Sequence, residues 1–382
     1  MDEKLIAPFK VRCSDSILED LSERLKRTIF PDEAKNNSWE YGTNKTYLEE
    51  IIRYWQDGYS WRENEAALNQ FKQFQVEIGG SSVHFIYERG RGPNPKILLL
   101  LHGWPGSVYE FYELIPLLTD PIKYGGDPEQ SFTVVCPSLP GFNFSFGADS
   151  KRYSAGDIAE VLIILMRDVL GLTPFGIQGG DWGAFVATRM AYRNPELVSG
   201  IHLNFMPVRR DPNLYKVKNK PAINRFREHL EVFLKFETGY QWIQGTKPQT
   251  LAYGLTDSPV GLAAWIIEKF YTWSHCEGDL DAYFGKDKII TSIMIYWITR
   301  SIGSSFWPYF ARHNGDWPVP EGKKIDIPTA YIEFPREILR PPREVAEIFF
   351  SNIKSWKIAS RGGHFAAFEE PQVLASDVRE FF

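Results

Sequence analysis

Between residues 81 and 205, short apolar runs alternate with longer segments of helical periodicity, and that alternation restricts the chain to very few folds. "SSVHFIYE" (81–88) alternates as a half-buried strand does. "KILLLLHG" (96–103) is a continuous apolar run ended by glycine, the pattern of a strand covered on both faces. "SVYEFYELIPLL" then reads as helix, "SFTVVCPS" as strand, and "SAGDIAEVLIILMRDVLG" as a capped helix closed by Gly171. "FGIQGG" reads as strand, "DWGAFVATRMAYRNP" as helix and "VSGIHLNF" as strand. A βαβαβαβ succession predicts an α/β fold: a right-handed, mostly parallel sheet with helices on both faces.

The alternation stops near Met206. From there to Trp317 the chain is helical and aromatic-rich, with "SPVGLAAWIIEKFYTW" the clearest helix, before "IPTAYIEF" and "KSWKIAS" resume strands. A helical block between strands of one sheet reads as a lid over the strands' C-terminal edge, where open α/β sheets carry their sites. The first 75 residues read as mainly helical, beginning with "SDSILEDLSERLKRTI" on a Ser/Asp cap. The expected organisation is therefore a helical N-terminal extension packed on core and lid (1–75), a first part of the core (76–205), a helical lid (206–317) and a last part of the core (318–382).

Composition narrows the function classes. A net charge of −5 gives no electrostatic reason for a nucleic-acid partner. The longest aliphatic runs, such as "VLIILM", are too short to span a bilayer, so no membrane-spanning segment is expected. Cys13, Cys136 and Cys276 are odd in number and far apart, which suggests neither a disulfide framework nor a zinc site and favours a reducing, cytoplasmic setting. The sequons at Asn36, Asn44 and Asn143 then read as chance matches. Aromatic residues make up 15% of the chain; most should be core, and some should line an apolar pocket.

The strand-to-helix junction "IQGGDWGA" carries the chemistry. Gly179-Gly180-Asp181-Trp182-Gly183 fits Gly-x-nucleophile-x-Gly, the strained turn that projects a nucleophile above an α/β sheet, although a simple Asp-capped turn has the same letters. "HGWPG" (102–106) follows the first buried strand, where such a fold supplies a backbone oxyanion donor. The donors should be the N–H groups of Trp104 and Trp182. "RGGHFAAFEEP" (361–371) puts His364 on the loop after the last strand, the place of a catalytic base. The other six histidines read as surface residues, save His202, which sits mid-strand and reads as structural. Between the last two strands, Glu333, Glu337 and Glu344 are candidate acids, with Asp326 less well placed; the loop position favours Glu337, with Glu333 its rival.

Aspartate in place of serine decides the reaction type. With a reference pKa of about 3.9 it is ionised near neutrality and can displace a leaving group at an sp³ carbon without a base. Serine there would form an ether that water does not cleave, whereas aspartate forms an ester that a histidine-activated water can hydrolyse. A halide leaving group needs only N–H donors; an epoxide oxygen needs an acidic O–H. Tyr215, Tyr240, Tyr253, Tyr271, Tyr283, Tyr296 and Tyr309 are the lid candidates, and the residues alone do not choose among them.

The combination "HGWPGS.YEFY", "CPSLPGF.FS", "IQGGDWG", "TGY..IQ.TKP.T..Y", "DSPVGLAAWI.EKF" and "RGGHFAAFEEP", with the N-terminal "YG.N..YL...I.YW", resembles the microsomal-type epoxide hydrolases of the α/β-hydrolase fold over nearly the whole chain. That resemblance implies Asp181 as nucleophile, His364 as base, Glu337 as its acid 27 positions earlier, and Tyr240 and Tyr309 as the lid tyrosines. It implies an apolar epoxide and water as the small-molecule partners, no cofactor and no metal; the oligomeric state stays open, a homodimer included. Two departures stand out: the family's membrane anchor is missing from this sequence, and the lid is short between Pro207 and Lys235. The competing readings are a haloalkane dehalogenase with the same nucleophile and a ligand-binding protein on a hydrolase scaffold.

Overall fold

The structure is a computed structural model that describes residues 6–34, 38–147, 151–215, 220–315, 317 and 319–382; the Asn36 sequon lies outside the described residues. Its strands are β1 (Ala7–Phe9), β2 (Gln73–Ile78), β3 (Ser81–Glu88), β4 (Lys96–Leu101), β5 (Phe132–Pro137), β6 (Phe175–Gly179), β7 (Val198–Leu203), β8 (Thr329–Glu333) and β9 (Ile353–Ile358). They form one sheet in the order β1-β2-β3-β5-β4-β6-β7-β8-β9. From β5 to β9 all neighbours are parallel. β1, β2, β3 and β5 pair antiparallel at one edge.

The apolar runs account for this layering. Leu98 to Leu101 and Val134 to Cys136 are fully buried, as strands covered on both faces must be. Helices flank both sides of the sheet: 155–164 packs on 181–193, and 114–119 packs on 371–381. β4 lies between β5 and β6, so successive crossovers leave it in opposite directions. The strand ends at that reversal form the crevice where this architecture holds ligands.

Residues 1–75 do hold three helices, Asp15–Lys26, Lys45–Asp57 and Trp61–Leu68, but also β1 and the start of β2. A three-residue strand carries no readable periodicity, and its pairing with β2 is a tertiary event. The helices dock on Pro259–Trp273 and Lys286–Thr299 of the inserted block. Polar pins reinforce them: Tyr47 Oη donates to Asp281 at 2.7 Å, Tyr54 Oη to Asp287 at 2.8 Å, and Arg24 Nη1 to Asp257 at 2.8 Å. Asn44 and Asn143 are buried, Asn44 as the N-cap accepting from the Tyr47 N–H.

The expectation that the lone histidines lie at the surface fails for His84 and His102. Both are buried, His84 between Ser138 Oγ at 3.0 Å and Gln73 Oε1 at 2.8 Å. Internal hydrogen-bonding partners offset the burial of a ring that sequence position alone would put in water. His202 is structural: its Nε2 meets Asp377 Oδ2 at 2.9 Å beneath the C-terminal helix Pro371–Phe381, and Lys357 of β9 reaches the other oxygen at 2.7 Å. Replacing Asp377 with alanine should cost about 3 kcal/mol, since it strands a buried partner; urea unfolding of the variant against the parent measures this.

Candidate active site

Strand β6 ends at Gly179 and the helix Asp181–Arg193 starts two residues later, so the chain reverses within a single residue. Asp181 takes φ +42°, a left-handed value that costs a non-glycine residue about 1–3 kcal/mol. The turn closes only because its neighbours lack side chains. A Cβ on Gly183 would lie 2.1 Å from the Leu101 carbonyl oxygen, and one on Gly103 would lie 2.4 Å from the Asp181 Cβ. The ends of β4 and β6 therefore touch, and the Trp104 N–H donates to Asp181 Oδ1 at 2.8 Å.

His102 fixes the loop that carries this donor. Its Nε2 accepts from the Leu139 N–H at 3.0 Å, so Nδ1 holds the proton and donates to the Gly103 carbonyl at 2.9 Å. Burial lowers its pKa to about 4 and keeps it neutral.

The last loop supplies the imidazole. The His364 N–H donates to the Trp273 carbonyl at 2.9 Å, and Glu369 clamps the loop by accepting from the N–H groups of Phe365 and His275, each at 2.9 Å. His364 Nδ1 lies 2.7 Å from Glu337 Oε1, and Nε2 lies 3.7 Å from Asp181 Oδ2. Of the four candidate acids, only Glu337 reaches the ring. Glu333 remains in β8, Glu344 is exposed on the helix Arg343–Ala346, and Asp326 accepts from Ser351 Oγ at 2.7 Å.

The lid tyrosines separate as clearly. Tyr215 donates to the Arg209 carbonyl at 2.5 Å, Tyr283 to Glu369 at 3.1 Å and Tyr296 to the Gly106 carbonyl at 2.9 Å. Tyr271 stacks on Trp39 at 3.9 Å, and Tyr253 is exposed. Of these candidates, Tyr240 and Tyr309 pack their rings against Trp104, whose N–H holds Asp181, with their ring centroids 5.8 Å apart. Tyr309 also meets the Trp182 indole edge-on at 4.8 Å. Burial first, then the Asp181 carboxylate among other neighbours, raises both phenols above their ordinary value.

Charge completes the arrangement. Burial alone would lower the His364 pKa, but Glu337, Asp181 and Glu110 together carry it to about 9. Glu110 is a site residue the sequence reading missed. Its carboxylate fills the space a side chain on Gly106 would take, and removal from water, helped by Asp181 and opposed by His364, pushes it up to about 8. The signal lay inside the quoted "HGWPGSVYEFY", where a lone acid follows the donor loop by one helical turn. Trp104, Glu110, Asp181 and His364 bound a cavity of about 20 Å³, enough for one water molecule. Among the described residues, no group of three His, Cys, Asp or Glu side chains is set to hold a metal.

Comparison with known proteins gives this geometry a family. Residues 6–111 match the model for the epoxide hydrolase N terminus, and residues 96–276 match that for the alpha/beta hydrolase fold. Epoxide hydrolase 1 of Oryctolagus cuniculus is 38% identical over 408 residues, covering 100% of this chain and 89% of that protein. The chain belongs to the epoxide hydrolase family. The crystal structure of juvenile hormone epoxide hydrolase from the silkworm Bombyx mori superimposes with a TM-score of 0.86 at 32% identity, over 99% of this chain and 94% of that one. The Aspergillus niger epoxide hydrolase follows at 0.85 and 28%, over 99% and 96%. The α/β sheet expected from the alternating runs and the α/β-hydrolase fold implied by the resemblance are thus shown, and among the described residues no helix is long and apolar enough to cross a membrane.

Asp181→Asn removes a negative charge that holds His364 protonated. Its pKa should fall well below about 9, and a proton NMR titration of the imidazole reads the shift. An unchanged midpoint would show that Glu337 and Glu110 alone set it.

Proposed function

We propose that this protein converts apolar epoxides to vicinal diols through a covalent ester on Asp181. Trp104 N–H holds Oδ1 at 2.8 Å, which leaves Oδ2 as the attacking atom. Tyr240 and Tyr309 bind the oxirane oxygen. As Oδ2 bonds to ring carbon, the carbon–oxygen bond breaks and the departing oxygen takes a phenolic proton.

Ester formation consumes the Asp181 charge, and with it one of the forces that keep His364 protonated. The His364 proton passes to the phenolate left by ring opening, and the neutral imidazole, oriented by Glu337, then accepts a proton from water in the small cavity as that water attacks the ester carbonyl. The carbonyl oxygen is the former Oδ1, already on the Trp104 N–H; with the Trp182 N–H it forms the oxyanion site, where a single donor contributes about 3 kcal/mol. As the tetrahedral adduct collapses, the departing oxygen takes the imidazolium proton and the new carboxyl group returns its proton to His364, which frees the diol and restores the Asp181 carboxylate. The observation that carries this reading is the 3.7 Å gap between His364 Nε2 and Asp181 Oδ2, beside a water-sized space and beneath two tyrosines.

The walls of Trp104, Trp273 and Phe306 support an apolar, aryl-tolerant substrate range. The cysteines, all unpaired and buried, support a cytoplasmic setting.

A single turnover with excess protein in heavy-oxygen water tests the scheme: the first diol should carry ordinary oxygen and residue 181 the label. His364→Gln should accumulate an ester adduct visible by mass, with turnover reduced at least about a hundredfold. Label in that first diol would show direct attack by water. Halide release from haloalkanes with no diol formed from epoxides would favour the dehalogenase reading.

A further inference from the structure

Tyr240 and Tyr309 differ in what stands behind their hydroxyls. Gln241, next to Tyr240 on the helix Gly239–Thr246, turns its carboxamide back so that Nε2 donates to Tyr240 Oη at 2.8 Å. The carboxamide oxygen accepts Arg210 Nη1 at 2.9 Å and Arg312 Nη2 at 2.9 Å. These two donors fix the orientation of the amide, because guanidinium groups can only donate. Arg210 comes from the segment after β7, and Arg312 from the helix Trp307–Asn314. Lys269 is buried with its ammonium 4.5 Å from the centre of the Tyr240 ring. Tyr309 Oη has the Trp182 indole beside it and no well-formed hydrogen bond.

Two like charges converging on one neutral acceptor repel each other, and burial lowers the Arg312 pKa to about 10, with Arg210 adding to the effect. The return on that cost lies at Tyr240. Two cations draw electrons from the amide oxygen and make its N–H a stronger donor. A phenol oxygen that accepts such a bond releases its own proton more readily, and the phenolate left behind is stabilised by the same contact. Against burial, Arg210, Gln241 and Arg312 all act to make the Tyr240 hydroxyl more acidic.

We propose that Gln241, polarised by Arg210 and Arg312, is a positioning residue that makes Tyr240 the proton donor to the opening oxirane, leaving Tyr309 to hold the oxygen in place. This rests on the epoxide reading above and assigns unequal parts to the two tyrosines.

The test is the rate of ester formation in single turnovers with styrene oxide, followed by mass of the quenched protein, with thermal melting as a check on folding. Gln241→Met should slow ester formation about tenfold, the value of one charge-assisted hydrogen bond, and leave ester hydrolysis unchanged. The same substitution should cost about tenfold in a Tyr309→Phe background and nothing in a Tyr240→Phe background. Gln241→Glu keeps the volume and both arginine partners but has no N–H to offer, so it should slow ester formation at least as much as methionine does. Should methionine unfold the protein, the glutamate variant carries the test. The idea is overturned by an equal loss in the Tyr240→Phe background, or by a parental rate with glutamate. A parent that forms diol without ester on Asp181 would instead sink the proposed function itself.

Discussion

The hydrogen bond from the Trp104 amide to Asp181 joins the exits of two neighbouring strands, and the rest of the site is built around it. For the bond to form, β4 and β6 must end side by side and the turn after β6 must approach the β4 backbone without side chains between them. Gly183 against the Leu101 carbonyl and Gly103 against the Asp181 Cβ meet that requirement. Asp181 then accepts a left-handed backbone that its residue type disfavours. The strain persists because the parallel sheet on one side and the buried helix 181–193 on the other over-determine the junction. One oxygen of the carboxylate is immobilised, and the other is turned toward His364.

Around that pair the protein sets Glu337 and Asp181 against one imidazole, with Glu110 adding negative charge only as it ionises, at about 8. Glu337, Asp181 and Glu110 all favour the protonated ring, while burial opposes it. In the proposed reaction the balance changes when Asp181 loses its charge to the ester. Base strength thus becomes available at the stage that uses it, with no moving part. In that proposed scheme the chemistry is timed by electrostatics: the carboxylate that would attack also restrains the group that would act as base.

Much of this was legible in the sequence because it depends on local pattern. β3 spans the alternating run, and β4 to β7 fall on the apolar runs; Asp181 sits in a turn whose glycines announce it. Glu337 could be preferred over Glu333 on loop position, since a side chain beyond the strand end can reach the last loop. What stayed hidden was set by tertiary approach. β1 exists only through its pairing with β2. His84 and His102 are buried by contacts far along the chain. Choosing Tyr240 and Tyr309 from seven candidates required family resemblance, because the spacing of the seven does not say which rings meet Trp104. Gln241 acts through Arg210 and Arg312, which no spacing brings together with it, and so it carried no signal of its own, whereas Glu110 could have been read from its place one turn after the donor loop.

The tyrosine and arginine pins between the N-terminal helices and the inserted block have a mechanical consequence. Tyr47, Tyr54 and Arg24 tie that block to the N-terminal helices from outside, so the inserted helices are braced by the first part of the chain. Through those contacts, substitutions in the N-terminal helices should shift the inserted helices, and with them the choice of guest, without touching a reacting atom.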